Sequence, residues 1–278
     1  MEEKMNRIKK GDYVSRQSYE NDLFFRVEKI LKLNNGEEIA LLKGLTIRIE
    51  ADSPIQDLNK VSNEQLIKYL NELENKIEKR LLRGKAILQA KRKKELIVTG
   101  KILHLDGDKK YSEKSYKYYK KLKLNAIVKN IPESKQPHLV YKLLQFYRPD
   151  ILIVTGHDGM IRSEFGYTDI YNYRNSKYFI ETVKEARRYE NQSNKKIVIF
   201  AGACQSYFEA LISAGANFAS SPARILIDFL DPLIVAEHVA TTEKYKFIKV
   251  DDFEQELRDG RQGIDGLGCM GKKEIIYL

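Results

Sequence analysis

The chain has 278 residues, of which 49 are Lys or Arg and 39 Asp or Glu, giving a formal charge of +10. At about 100 to 200 residues per domain this length predicts two domains, and a 42% hydrophobic content supplies a core, which excludes disorder along the whole length. The apolar runs are all broken by acids far short of a membrane span, and two cysteines, Cys204 and Cys269, are too few for a disulfide scaffold or a structural zinc site.

No apolar signal region follows the opening Met1-Glu2-Glu3-Lys4, so the expectation is a cytosolic protein. A strongly basic balance is also the footprint of a nucleic-acid binder. Here the basic clusters are Lys79-Arg80, Arg83 with Lys85, Lys91 to Lys94, Lys109-Lys110 and Lys114 to Lys123. They lie mostly on helical or loop patterns mixed with acids, which reads as solvated faces rather than as a dedicated groove.

Residues 8 to about 56 alternate as short strands, with Asn34-Asn35-Gly36 as a hairpin turn. Four or five strands in so short a stretch, opening on Lys10-Gly11-Asp12-Tyr13-Val14, predict a small SH3-like β-barrel over residues 1–58, a module for docking a partner. Ser62 and Gln65 have the spacing of a capping box, and Leu66, Leu70, Leu73, Ile77 and Leu81 recur at helical intervals. Residues 59–94 therefore read as an amphipathic helical connector, and a second domain is expected over 95–278.

In that second part strand and helix patterns alternate. A strand is expected within 96–105, a helix from 112 or 113 to 124, a strand over 125–131, a helix over 137–147 and a strand over 150–155. A helix over 176–189, a strand over 196–201, a helix over 206–214, a strand over 217–220 and a helix over 233–241 follow. Repeated βα units predict an α/β fold with a mostly parallel sheet flanked by helices. Active sites of such sheets lie beyond the carboxyl ends of the strands.

Two of the strands end in reactive residues. Ile151 to Thr155 leads through Gly156 to His157, Asp158 and Gly159, and Ile197 to Ala201 leads through Gly202 and Ala203 to Cys204. Side chains from two neighbouring strand ends, about 5 Å apart, can meet. A helix starting near Ser206 would favour a Cys204 thiolate through its dipole, and the backbone N–H of Cys204 with one from the 157–159 loop would hold an oxyanion. His104 and Asp106 lie at the same rim; His104 is a rival base or a core residue, and Asp106 or Asp158 would orient His157, bind a substrate cation or sit solvated. His138 and His238 read as structural. Cys269, among glycines, reads as a tail thiol, and the aromatic loop from Phe165 to Tyr173 as a substrate lid or a packed surface loop.

A hydrophobic strand ending in His near a Gly, then a second ending in Ala-Cys, resembles the caspase-like cysteine peptidases over about residues 95–245. The 47 positions between His157 and Cys204 are close to the roughly 50 of caspases. The barrel together with Gly156-His157-Asp158-Gly159 and Ala201-Gly202-Ala203-Cys204-Gln205-Ser206-Tyr207 resembles, over essentially the whole chain, the YabG family of sporulation-specific proteases. The sequence departs from the caspase pattern in two places, with Asp158 directly after the histidine and Gly202 where caspases have Gln.

The resemblance implies a caspase-like peptidase domain, a His157/Cys204 dyad, and no metal or organic cofactor. It also implies spore coat and cortex-associated proteins as substrates, a mother-cell location, cleavage after Arg or Lys, and self-cleavage, for which Arg187-Arg188 is one basic site. Recognition of a basic side chain needs a carboxylate, and Asp228 and Asp231, with Ser220 and Ser221, are the candidates after the fifth strand. Two other classes stay open. An amidotransferase or amidase would use the same nucleophile, although in class I glutaminases the cysteine precedes its histidine. A coat-assembly or nucleic-acid-binding protein would work through the barrel and the basic helix.

Overall fold

The computed structural model of the chain describes residues 7–89, 95–161 and 166–277. It divides into two compact units, Met1–Lys79 and Arg80–Leu278.

In the first unit the alternating pattern produces β1 (Tyr13–Arg16), β2 (Phe24–Lys32), β3 (Glu38–Gly44), β4 (Glu50–Pro54) and β5 (Leu58–Lys60). They form one antiparallel sheet in the order β4-β3-β2-β1-β5. Ile8, Val14, Phe25, Val27, Ala40, Leu42 and Leu58 turn inward and make its core. Gly36 takes φ +88° in the expected turn, a conformation that favours glycine. The helix expected over 62–94 runs as α1 (Asn63–Gln89), and residues 90–94 lie outside the described ones. Its capping box forms: Ser62 N–H donates to Gln65 Oε1 at 3.0 Å and Gln65 N–H to Ser62 Oγ at 3.2 Å. Tyr69 on α1 packs its ring 4.7 Å from that of Phe24.

In the second unit β6 (Glu95–Val98) and β7 (Ile102–Asp106) replace the single strand expected over 96–105. There follow α2 (Lys109–Lys121), β8 (Ala126–Asn130), α3 (Gln136–Tyr147), β9 (Ile151–Thr155), α4 (Ser176–Ser193) and β10 (Val198–Ala201). The chain continues through α5 (Phe208–Ser213), β11 (Phe218–Ser220), α6 (Asp231–Thr241), β12 (Phe247–Ile248), α7 (Gly260–Gly263), β13 (Ile264–Gly266), β14 (Cys269–Met270) and β15 (Glu274–Tyr277). The main sheet has the order β8-β7-β9-β10-β11-β13, parallel throughout except for β13, which is antiparallel to β11.

Every residue of β7, β9 and β10 is buried, which is why these strands read as continuous apolar runs. Leu103, Leu105, Leu152, Val154, Ile199 and Ala201 face one way, onto α3, α4 and α5; the alternate residues face α2 and α6. The pairing of β6 with β15 and the small pair β12 with β14 had no signal in the sequence. Among the described residues no helix is long and apolar enough to cross a membrane.

Asp57 anchors the first unit. It accepts from Ser18 N–H at 2.8 Å, Ser18 Oγ at 2.7 Å, Arg16 Nε at 3.0 Å and Ser53 Oγ at 3.0 Å. Burial acts to raise its pKa, but the bonds from Ser18, Arg16 and Ser53 outweigh it and hold the carboxyl at about 2. A folded-state pKa below the unfolded value stabilises the unit above pH ~4, and the gain is lost as pH falls through about 2. Asp57→Asn is expected to cost about 1 to 3 kcal/mol at pH 7, with the difference from wild type closing towards pH 2, in denaturant unfolding followed by circular dichroism.

Candidate active site

The strand order places the switch between β7 and β9, where successive connections leave on opposite faces and sheets of this kind form their crevice beyond the strand ends. One strand further on, β9 and β10 run parallel with Val154 opposite Ala201. Gly202 N–H donates to Val154 C=O at 3.0 Å, extending the pairing past the strand end. His157 and Cys204 each stand three residues beyond that matched pair. Both are fully buried.

The two loops are tied through one carboxylate. Asp158, with no exposed surface, accepts at Oδ1 from Gly159 N–H (2.9 Å) and Asn175 N–H (2.8 Å), and at Oδ2 from Ser176 Oγ (2.5 Å) and Ser206 Oγ (2.8 Å). The two hydroxyls carry the connection onward: Ser206 Oγ accepts from Ala203 N–H at 2.9 Å, and Ser176 Oγ from Tyr207 N–H at 2.8 Å. Asn175 Nδ2 donates to His157 C=O at 2.9 Å. The histidine loop, the start of α4 and the cysteine turn are thereby one hydrogen-bonded body. Burial pushes Asp158 up to about 6, against the four hydrogen bonds that favour its anion.

The turn around Cys204 uses backbone that few side chains tolerate. Gly202 has φ +113°, and a Cβ there would meet Ser220 Oγ at 2.3 Å. Gln205, Ser221 and Arg224 also have positive φ, of 54°, 66° and 56°. Ser220 Oγ donates to Ala203 C=O at 2.7 Å, and Ser221 Oγ accepts from Gln205 N–H at 3.0 Å while donating to Ile225 C=O. Both serines serve as walls of the turn. The thiol contacts the main chain of Ile227, accepting from its N–H at 3.4 Å and lying 3.7 Å from its C=O. The helix expected over 206–214 is present as α5, but it begins two residues later, at Phe208, and has six residues, too far along and too short for its dipole to govern the sulfur as expected.

His157 meets a carboxylate that sequence reasoning missed. Asp108 caps α2, taking Lys110 N–H at 2.7 Å and Tyr111 N–H at 3.1 Å on Oδ1, and its Oδ2 lies 4.0 Å from His157 Nε2. The aromatic ring of Tyr111 stands 5.7 Å from the imidazole. The signal for Asp108 was an N-cap spacing at a strand end; the helix expected from 112 or 113 instead starts at Lys109. His157 N–H donates to a second unforeseen carboxylate, Glu133, at 2.8 Å.

The other expected residues have surroundings of their own. His104 is buried on the α2 face of β7, bonded to Tyr119 Oη (3.1 Å) and Thr155 Oγ1 (2.8 Å), and Asp106 accepts from Thr155 Oγ1 at 3.1 Å. Asp231 accepts from the N–H groups of Asp228 (2.9 Å) and Arg258 (3.1 Å), bracing the start of α6. Asp228 accepts from Leu230 N–H at 3.0 Å. Arg187 and Arg188 lie within α4, where Arg187 donates to Gly215 C=O and Ile197 C=O. Phe165 lies outside the described residues; Tyr167, Tyr173 and Tyr207 surround the Arg224 guanidinium at 5.5, 5.8 and 5.6 Å. Cys269 is a correction: it sits buried on β14 opposite Ile248, and burial pushes its thiol up to about 12, making it a core residue and not a tail thiol.

A family model described as YabG peptidase U57 matches residues 9–277. The chain is 37% identical over 279 aligned positions to the sporulation-specific protease YabG of Bacillus subtilis (strain 168), covering 95% of this chain and 96% of that one. Among solved structures, the receiver domain of the histidine kinase CKI1 from Arabidopsis thaliana, complexed with Mg2+, aligns with 42% of this chain and 79% of its own at 15% identity, with a TM-score of 0.29.

The raised Asp158 pKa has a consequence for stability. The unfolded state releases this proton near pH 3.8 and the folded state near 6, so folding stability falls as pH rises through that window. A shift of that size is worth about 3 kcal/mol, so wild type should lose about that much relative to Asp158→Asn between pH 4 and pH 7. Urea unfolding of both proteins at the two pH values measures it; parallel pH dependence would remove Asp158 as the titrating group.

Proposed function

The chain belongs to the YabG peptidase family, U57, and on that footing we propose that it is a cysteine endopeptidase of sporulation whose dyad is His157 and Cys204. The observation that carries this reading is the matched register: two reactive residues equally spaced beyond paired strands, in loops fastened together through Asp158. The strand order with an antiparallel sixth strand is in keeping with a caspase-like arrangement, and the antiparallel first unit with an SH3-like barrel.

In the proposed cycle His157 removes the Cys204 proton and the thiolate attacks the scissile carbonyl. The Cys204 N–H stabilises the oxyanion; that of Gly159 is already bound to Asp158. His157 then protonates the leaving amine, and it activates the water that hydrolyses the thioester. With Asp108 on the Nε2 side, Nδ1 is the nitrogen that exchanges the proton, and the Asp108 carboxylate stabilises the imidazolium. Asp158 acts by positioning.

The substrates in this reading are spore coat and cortex-associated proteins in the mother cell, cut after Arg or Lys, with this chain itself among them. Asp228, in the segment that passes over the thiol, is the carboxylate assigned to the basic side chain. An amidotransferase is disfavoured by the order of His157 before Cys204.

Cys204→Ala and His157→Ala should each lower proteolysis of a solubilised spore-coat extract at least 10³-fold while circular dichroism stays unchanged, and Asp108→Asn should lower kcat about 10- to 100-fold. Full cleavage by the Cys204→Ala protein sinks the dyad, and an equal loss from His104→Ala alone moves the base. On fluorogenic peptides, kcat/KM for Arg or Lys before the scissile bond should exceed that for Asp or Leu at least 100-fold; equal rates would remove the basic specificity.

A further inference from the structure

The crevice beyond β7 and β9 is filled from within the chain. Glu133 opens a short 3-10 turn, Glu133–Lys135, between β8 and α3. Its Oε1 accepts the His157 N–H at 2.8 Å. A Cβ built on Gly107, just after β7, would lie 2.0 Å from Glu133 Oε1 and 2.5 Å from Oε2. One built on Gly156, just after β9, would lie 2.2 Å from Oε1 and 2.7 Å from Cδ. Neither glycine has positive φ, so the demand is for space. The carboxylate thus occupies a slot that exists because both flanking positions lack a side chain.

The slot has a rigid frame. Gly107 N–H donates to Thr155 C=O at 3.1 Å, and Ile131 N–H to Asp106 C=O at 2.9 Å. Gln136 Nε2 bridges Ile131 C=O (3.0 Å) and Thr155 C=O (2.9 Å), which fixes the start of α3 against the same strand ends. A carboxylate accepting a backbone N–H in such a place forms a strong, directional bond.

We propose that Glu133 is a positioning residue: through the Gly107–Gly156 slot it holds the main chain of His157, and with it the imidazole, in the place the dyad needs. It works with two other holds on the same residue, Asn175 on the His157 carbonyl and Asp108 on the Nε2 side. Its negative charge, one hydrogen bond from the His157 main chain, also adds to the field of Asp108 that favours the imidazolium, and the Tyr111 ring stands 5.7 Å from the same imidazole. The inference deepens the dyad assignment and rests on it.

The test is a double-mutant cycle read in two ways. Glu133→Ala should lower kcat about 10- to 100-fold with KM within about twofold, and Gly156→Ala should do likewise by driving a methyl group into the carboxylate. If the glycine serves to seat Glu133, the Glu133→Ala/Gly156→Ala protein should be no worse than Glu133→Ala alone, so that the two effects are non-additive. Glu133→Gln keeps an acceptor for the N–H and should recover kcat to within about threefold of wild type. In an NMR titration, with the His157 ring proton assigned by its loss in His157→Ala, the imidazole pKa should fall by about half a unit or more in Glu133→Gln. Full kcat in Glu133→Ala, or additive effects of the two alanines, overturns the positioning role, and an unchanged imidazole pKa removes its electrostatic part. Because the titration needs no activity, it separates this inference from the dyad: full proteolysis by His157→Ala refutes the dyad whatever Glu133 does.

Discussion

The buried Asp158 carboxylate is the constraint on which the candidate site depends. A carboxylate without contact with water is costly unless donors replace its hydration, and here two N–H groups and two hydroxyls do so from three different segments. The requirement works in both directions. Asp158 can be buried only if the start of α4 and the Cys204 turn are in place, and those segments find their shared partner only if Asp158 is there. Loops beyond strand ends are ordinarily the most adaptable part of an α/β fold. In this protein the His157 loop, the start of α4 and the Cys204 turn are tied to one another by hydrogen bonds.

Around that hub the site is made largely of main chain. The cysteine turn is closed by bonds to the carbonyls of Ala203 and Ile225 and the N–H of Gln205. Positive φ at Gln205, Ser221 and Arg224 concentrates unfavourable backbone conformations in the two segments flanking the sulfur. Glycine appears where close approach demands it: Gly202 makes room for Ser220, and Gly107 and Gly156 for Glu133. Small residues at these strand ends are therefore parts of the site, although none of them carries chemistry.

Much of this was legible from the residues. Buried strands such as Ile151–Thr155 announce themselves as unbroken apolar runs, and the Ser62/Gln65 spacing marked the start of α1 to within one residue. The positions of His157 and Cys204 at successive strand ends followed from the same pattern. What escaped was whatever depends on pairing at a distance. The strands β13, β14 and β15 have two to four residues each, and their partners lie tens to well over a hundred positions away. Cys269 was misread for that reason, since glycines on both sides look like a loose end until β12 is placed beside them. Asp108 and Glu133 escaped because an acid beside a glycine or a proline has the look of a solvated turn. Only the strand order brings both to His157.

The Ile227 peptide resting on the Cys204 sulfur has a kinetic meaning. A thiol with no exposed surface, touching both the N–H and the C=O of Ile227, cannot meet an external electrophile until the chain segment over it moves aside. Whatever its intrinsic nucleophilicity, the rate at which such a sulfur reacts is the product of that chemistry and the fraction of time the segment stands open. Alkylation of this cysteine is accordingly a clock for a local opening. A peptide that pries the segment away would make the sulfur react faster with a small reagent before it competes for the same space.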